Sequence, residues 1–116
     1  MAELSEKHLV RDLKAGSLEA LEHAYGKYAE KILNQGYRIL LSREAAEDVL
    51  HDIYVNLFRR IRNFRGKSSL GTWLYRVTHN LCLEKIRKEK NRRRILSDNT
   101  PLLSNTKELD TETRDL

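Results

Sequence analysis

The residues best suited to binding another molecule are concentrated between Phe64 and Arg94. This stretch begins as a short basic loop and continues into a long helix that opens with aromatic residues and closes in a cluster of Lys and Arg. Aromatic rings can stack on unpaired bases, while guanidinium and ammonium groups can bind phosphates. The combination predicts a surface that binds a nucleic acid.

The charge distribution supports this prediction. The chain has a net charge of +5, but residues 59–94 hold 13 Lys and Arg against 2 Asp and Glu. Residues 1–58 hold 7 against 10, and residues 95–116 hold 2 against 5. A charge of +11 in one third of the chain is self-repulsive without a polyanionic partner. A solvated helix rich in Lys and Arg is the plainer alternative.

Length and composition limit the other possibilities. With 116 residues, 40% of them hydrophobic, the chain is expected to form one small domain. No run approaches the roughly 20 apolar residues of a membrane span, and the charged N-terminus lacks the apolar core of a signal peptide. A single cysteine, Cys82, excludes an internal disulfide. We therefore expect a cytoplasmic protein that does not bind membranes.

Apolar residues recur at three- and four-residue steps along the chain. This periodicity predicts an all-α fold, a compact domain of three or four helices. The serines placed to cap these helices are Ser5, Ser17, Ser42 and either Ser68 or Ser69. The second helix is expected to run to Ile39 or Leu40, with a bend near Gly36.

The third predicted helix has two distinct sides. The apolar side is assigned to the core and consists of Ala46, Val49, Leu50, Ile53, Leu57 and Ile61. The polar side carries Glu44, Asp48, His51, Asp52, Asn56 and Arg59. A simple nucleic-acid-binding surface has no use for the acidic residues, so this side is a candidate docking face for a protein.

The fourth predicted helix also divides on a helical wheel. The inward side holds Leu70, Trp73, Leu74, Val77 and Leu81. The outward side holds Thr72, Tyr75, Arg76, His79, Leu83, Ile86 and Arg87. We interpret the outward residues as contacts for unstacked bases and phosphates. In the alternative interpretation, Tyr75, Leu83 and Ile86 pack against the first helix.

Residues for catalysis are lacking in the sequence. His51 and Asp52 are neighbours that point in different directions on a helix, and the chain has no Gly-rich phosphate loop, no His-Glu-x-x-His and no Cys-x-x-Cys motif. Cys82 is expected to be a small, buried apolar side chain. The sequence therefore predicts neither an enzyme nor a bound metal or cofactor.

Two motifs resemble region two of bacterial sigma factors. The run AEDVLHDIYVNLF at residues 46–58 resembles the helix that binds core RNA polymerase. The segment from Phe64 to Asn80 resembles the promoter-melting and −10 recognition segment that follows it. The run TWLYR at residues 72–76 is most similar to the extracytoplasmic-function (ECF) group. The resemblance covers roughly residues 5–94.

The resemblance implies a transcription-initiation factor that binds core polymerase and promoter DNA. The residues implied in docking on the clamp helices of the polymerase β′ subunit are Asp48, Asp52, Asn56 and Arg59. The loop would capture a flipped −10 base, and the next helix would follow the non-template strand. The implied DNA contacts are Phe64, Arg65, Lys67, Ser68, Ser69, Tyr75, Arg76, His79, Asn80 and Arg87, while Trp73 stays in the core. An anti-sigma factor is a further candidate partner.

On this interpretation residues 1–94 form the region two domain and residues 95–116 a flexible linker or tail. Nothing after Arg94 resembles the second ECF domain, region four, whose helix-turn-helix reads the −35 element. We therefore expect a fragment rather than a naturally short factor. Two alternatives stay open: a basic helical nucleic-acid-binding module without polymerase contact, and a protein-interaction domain bound by an anti-sigma factor.

Overall fold

The computed structural model describes residues 5–99, which form five α-helices and one 3₁₀ turn, with no strand among them. The helices are α1 (Glu6–Lys14), α2 (Leu18–Leu40), α3 (Arg43–Val55), α4 (Leu57–Arg60) and α5 (Leu70–Asn99), and the 3₁₀ turn is Ile61–Asn63. The all-α prediction is confirmed. The predicted fourth helix is α5, which continues beyond Arg94 to Asn99. The remainder of the predicted tail lies outside the described residues.

Local hydrogen bonds fix where four of the helices begin. A serine Oγ at the start of each helix accepts a hydrogen bond from the backbone N–H three residues later. The pairs are Ser5 with His8, Ser17 with Ala20, Ser42 with Ala45, and Ser69 with Thr72. Such caps satisfy N–H groups that have no partner inside the helix. The sequence predicted that either Ser68 or Ser69 caps the last helix, and in the structure the capping residue is Ser69.

Helix α2 lies at the centre of the domain and packs against α1, α3 and α5. The core takes apolar side chains from every helix, including Leu9, Leu13, Ala24, Tyr28, Ile32, Val49, Ile53, Leu57, Leu70 and Leu74. The tightest approach is between α2 and α3, at Gly36 and Ala46. A Cβ atom added to Gly36 would lie 3.2 Å from the Ala46 Cβ atom and 3.4 Å from its Cα atom. The crossing therefore leaves little room for a side chain at position 36.

The third predicted helix is interrupted at Asn56, which the apolar stripe did not indicate. Asn56 has φ −107° and ψ 10°, so α3 ends at Val55 and α4 begins at Leu57. The Asn56 side chain donates a hydrogen bond to the Asp52 carbonyl oxygen at 2.9 Å. Side-chain bonds of this kind compete with the helical hydrogen-bond pattern. The apolar stripe continues past the break, since Leu57 and Ile61 are buried as predicted.

A polar cluster joins the two sides of this break. Asp52 Oδ1 accepts hydrogen bonds from Asn56 Nδ2 at 2.8 Å and from Arg60 Nη2 at 3.1 Å. Partial burial by itself raises the pKa of Asp52. The bonds from Arg60 and Asn56 and the charges of Arg60 and Arg59 outweigh burial, so the pKa of this carboxyl lies below its usual value. The cluster thus favours the ionised form of Asp52.

Substitution of the two α2 glycines tests the α2–α3 crossing. Alanine normally stabilises a helix relative to glycine by about 1 kcal/mol. Gly26→Ala should show this gain, because no atom lies within 4 Å of a Cβ placed there. Gly36→Ala should be less stable than Gly26→Ala by about 1–3 kcal/mol, since the added methyl meets Ala46 on another helix. Urea unfolding of both variants measures the difference. Equal gains would mean that the crossing is loose.

Acid titration tests the Asp52 cluster. A carboxyl whose pKa is lowered by folding stabilises the folded state above its unfolded pKa of about 4, and this stabilisation is lost as pH falls through the folded pKa. Asp52→Asn should therefore be less stable than the parent chain at pH 7, and the two should converge below about pH 3. Thermal unfolding over a pH series measures the gap. Arg60→Gln provides the matched partner variant, and a gap of constant size at all pH values would indicate lost packing instead.

Candidate nucleic-acid and protein interfaces

The loop of residues 65–69, called here the reading loop, joins the 3₁₀ turn to α5. Arg65, Lys67 and Ser69 are exposed, and Ser68 is half-buried. Gly66 has φ +76°, a left-handed conformation that side chains rarely adopt, and it turns the chain between the two basic residues. The loop therefore presents two cations and two hydroxyls on a tight turn.

Helix α1 holds the reading loop at both ends. Lys14 Nζ donates a hydrogen bond to the Phe64 carbonyl oxygen at 2.8 Å, just before the loop. Glu6 Oε2 accepts a hydrogen bond from the Leu70 backbone N–H at 3.0 Å, just after it. A carboxylate at this position also suits the positive end of the α5 dipole. Sequence reasoning missed both residues, because each bond joins positions at least 50 residues apart.

Phe64 is a correction to the predicted DNA contacts. Only 5% of its surface is exposed, and its ring meets Trp73 edge-to-face with centroids 5.5 Å apart. The sequence prediction placed Phe64 on the DNA surface because its neighbours in the chain are polar and basic. Burial of an aromatic ring in the core is worth more than its exposure in a polar loop. The buried ring anchors the loop and is not available to a base, whereas Trp73 packs against the core as expected.

The side of α5 that packs on the core is rotated from the one that the helical wheel predicts. Leu70, Leu74, Thr78 and Cys82 are almost fully buried, whereas Val77 and Leu81 are half-buried. The Thr78 hydroxyl is satisfied because it donates a hydrogen bond to the Leu74 carbonyl oxygen at 2.8 Å. Burial raises the pKa of Cys82 despite the nearby charge of Lys85, which keeps the thiol protonated. Cys82 is the small buried side chain that was expected.

The outward side of α5 presents an exposed strip of side chains, called here the outer strip: Tyr75, Arg76, His79, Asn80, Leu83 and Arg87. Tyr75 and His79 lie on the same face with ring planes 13° apart and centroids at 6.5 Å. Gln35 of α2, which is buried, donates a hydrogen bond to the Tyr75 carbonyl oxygen at 2.9 Å. Of the apolar residues with two interpretations, Ile86 packs against the core, while Tyr75 and Leu83 are exposed.

Carboxylates divide the cations of this region into two groups. One group forms ion pairs: Arg60 with Asp52, Lys85 with Asp48, and both Arg92 and Arg93 with Glu89. The hydrogen bonds from Arg92 and Arg93 outweigh partial burial and lower the pKa of Glu89. The second group has no carboxylate partner among residues 5–97; it comprises Arg59, Arg62, Lys88, Lys90, Arg94 and the four residues Arg65, Lys67, Arg76 and Arg87. These four lie in the reading loop and the outer strip.

The four predicted polymerase contacts form the α3 face, defined as Asp48, Asp52, Asn56 and Arg59. Arg59 Nη2 donates a hydrogen bond to Asn56 Oδ1 at 3.0 Å, so Asp52, Asn56 and Arg59 belong to one cluster with Arg60. Asp48 stands apart, with a side chain 67% exposed and Lys85 Nζ at 3.7 Å. The structure therefore brings three of the four together and leaves Asp48 the most accessible carboxylate of the face.

Other kinds of site are not found in the described part of the chain. Within residues 5–99, no group of His, Cys, Asp and Glu side chains is placed to hold a metal ion. No helix of this part is both long enough and apolar enough to cross a membrane.

Comparison with known proteins identifies relatives of the chain. It is 31% identical over 88 residues to the ECF RNA polymerase sigma factor SigW of Bacillus subtilis, covering 76% of this chain and 47% of SigW. It is 33% identical over 75 residues to the RNA polymerase sigma-H factor of Pseudomonas aeruginosa, covering 65% of this chain and 39% of that protein. The chain thus spans less than half the length of these relatives. No solved structure matches it significantly.

The family comparison covers all three of the surfaces described above. The model of sigma-70 region 2 matches residues 24–92, which include the α3 face, the reading loop and the outer strip. The chain therefore belongs to the sigma-70 region 2 family and is a region 2 domain of the ECF type.

Proposed function

We propose that this domain acts in transcription initiation by docking on core RNA polymerase through the α3 face and capturing promoter DNA with the reading loop and the outer strip. The observation that carries the proposal is that Arg65, Lys67, Arg76 and Arg87, exposed and without a carboxylate partner among residues 5–97, lie in the reading loop and the outer strip beside the exposed Tyr75–His79 pair. Surface cations that are not neutralised within the protein are those that can release counterions on binding DNA. Membership of a family of initiation factors, which are not enzymes, supports the same function.

The DNA target is the non-template strand of the −10 element in its unpaired form. Unpaired bases offer ring faces that Tyr75 and His79 can stack against. A stripe of exposed side chains on α5, comprising Arg76, Asn80 and Arg87, spans positions i, i+4 and i+11, or about 16 Å of helix. The reading loop, with Arg65, Lys67, Ser68 and Ser69, takes the flipped base. Capture of the separated strand is what favours melting of the duplex.

The polymerase target is the pair of clamp helices of the β′ subunit. Asp48 and Asp52 supply negative charge and Asn56 supplies an amide, which suits a basic helical partner. Both hydrogen bonds that the Asp52 carboxylate accepts among the described residues fall on Oδ1, so Oδ2 can accept a bond from the partner. The internal cluster orients Asp52 before docking, which lowers the entropy cost of forming the complex.

The proposed DNA surface is tested by charge removal. Arg76→Gln and Lys67→Gln should each weaken binding to single-stranded DNA, because each removes an exposed cation without a carboxylate partner. If each cation contacts one phosphate, the slope of log K against log salt should fall by about 0.7 per variant. Fluorescence anisotropy of a labelled 12-nucleotide strand at several salt concentrations measures this slope. Arg11→Gln is the matched control, since Arg11 is exposed on α1 and pairs with its neighbour Asp12. Slopes equal to that control would contradict the assignment.

The docking face is tested most cleanly at Asp48. Asp48→Asn should reduce the affinity for purified core polymerase from the bacterium that encodes the chain by roughly tenfold, the value of one charge-assisted hydrogen bond. Its stability should hardly change, because an exposed ion pair at 3.7 Å contributes little. Glu22→Gln removes an exposed carboxylate of α2 and is the control. Unaltered polymerase binding by Asp48→Asn would refute the docking assignment for this residue.

A further inference from the structure

A groove between α2 and the start of α5 continues from the reading loop. Its cavity of about 520 Å³ is lined on the α2 side by Lys31, Asn34 and Arg38 and on the α5 side by Ser69, Thr72 and Tyr75. Ser69 belongs to the reading loop, and Tyr75 belongs to the outer strip. The groove therefore connects the two surfaces proposed to hold DNA.

The polar lining of this groove consists of cations, amides and hydroxyls. Lys31 and Arg38 are exposed cations, and no acidic residue lines the groove among the described residues. The two cations are seven positions apart on α2, which places them on one side of the helix at about 10 Å along its axis. Two positive charges at this separation, facing an exposed aromatic ring, suit a chain of phosphates with bases on one side.

The α5 wall adds a hydroxyl, that of Thr72, which can donate a hydrogen bond to a phosphate or sugar oxygen. Ser69 Oγ donates a hydrogen bond to Thr72 Oγ1 at 3.0 Å. Because Thr72 is the acceptor in this bond, its own hydroxyl proton remains available for a bond to a ligand. Thr72 is exposed at the edge of the groove. The buried amide of Gln35 bonds to the backbone of Tyr75, which fixes the distance between the two walls. This hydrogen bond and the packing of the core thus set the width of the groove.

We infer that this groove is a second binding segment for single-stranded DNA, in which Lys31 and Arg38 contact phosphates while Tyr75 contacts a base. The inference rests on the proposed function and extends the DNA path from α5 onto α2. The strand leaves the reading loop at Ser69, passes between α2 and α5, and reaches the outer strip at Tyr75. Neither Lys31 nor Arg38 has a carboxylate partner among residues 5–97, so both charges remain for the strand.

Charge removal and cross-linking on the intact chain test this inference. Lys31→Gln and Arg38→Gln should each lower the salt slope for a 12-nucleotide oligo(dT) by about 0.7 and weaken binding roughly fivefold at 0.1 M salt. In the double variant the salt slope should fall by about twice as much as in either single variant. Lys31→Arg and Arg38→Lys should retain it, because the charge is kept. In the second arm, the thiolate of Asn34→Cys should displace pyridine-2-thione from an oligo(dT) whose tether ends in a pyridyl disulfide and so form a mixed disulfide, whereas Glu30→Cys, also exposed on α2, should not.

The controls separate failure of this groove from failure of the proposed function. Far-ultraviolet circular dichroism of each variant should match the parent chain, since Lys31, Asn34 and Arg38 are all exposed. If Lys31→Gln and Arg38→Gln bind like Arg11→Gln while Arg76→Gln and Lys67→Gln are impaired, the groove is not a DNA site and the outer strip is. If all four bind like Arg11→Gln, the proposed function itself is wrong, and the inference falls with it.

Discussion

The geometry of the candidate DNA surface depends on the way α1 secures the reading loop. One helix supplies a cation to the backbone before the loop and a carboxylate to the backbone after it, through Lys14 and Glu6. Between these points the Phe64 ring is buried against Trp73. A loop fixed in this way loses less conformational freedom when it binds a ligand than a free loop would. Helix α1 makes no predicted contact with DNA, yet it positions the residues that are proposed to make such contacts.

Helix α5 meets two opposite requirements along one segment. Its inner line of Leu70, Leu74, Thr78 and Cys82 repeats every four residues and packs on the core. Its outer strip must stay polar and accessible, which places Tyr75 and Arg76 next to buried Leu74. The Thr78 hydroxyl is tolerated in the core because the helix backbone accepts its hydrogen bond. The outer strip is therefore held on a rigid scaffold without contributing to the core itself.

Sequence reasoning succeeded where the controlling interaction is local. The serine caps at Ser17 and Ser42 act over three residues, and the apolar stripe of α3 repeats over one or two turns, so both can be read from the chain. Prediction failed where a contact between residues far apart in the sequence determines the position of a side chain. The loop position of Phe64 suggested exposure, and nothing near Glu6 or Gln35 in the sequence indicates a partner on α5. The break at Asn56 was missed for another reason. The apolar residues before and after it keep the spacing of one continuous helix, so the pattern shows no interruption.

The distribution of ion pairs explains how a strongly basic segment can coexist with the carboxylates of the α3 face, the candidate docking face, in one small domain. Asp52 and Glu89 are tied to arginines by short hydrogen bonds, which lowers the local repulsion among the cations. Lys85 and Asp48 meet at 3.7 Å, where α5 passes α3, and this exposed pair is too weak to hold the two surfaces in place. Their relative position must instead come from the apolar packing of α3 and α5 against α2. Asp48 and the cations without carboxylate partners can therefore be exposed to a partner without being required for the fold, which is what the proposed binding of polymerase and DNA at the same time requires.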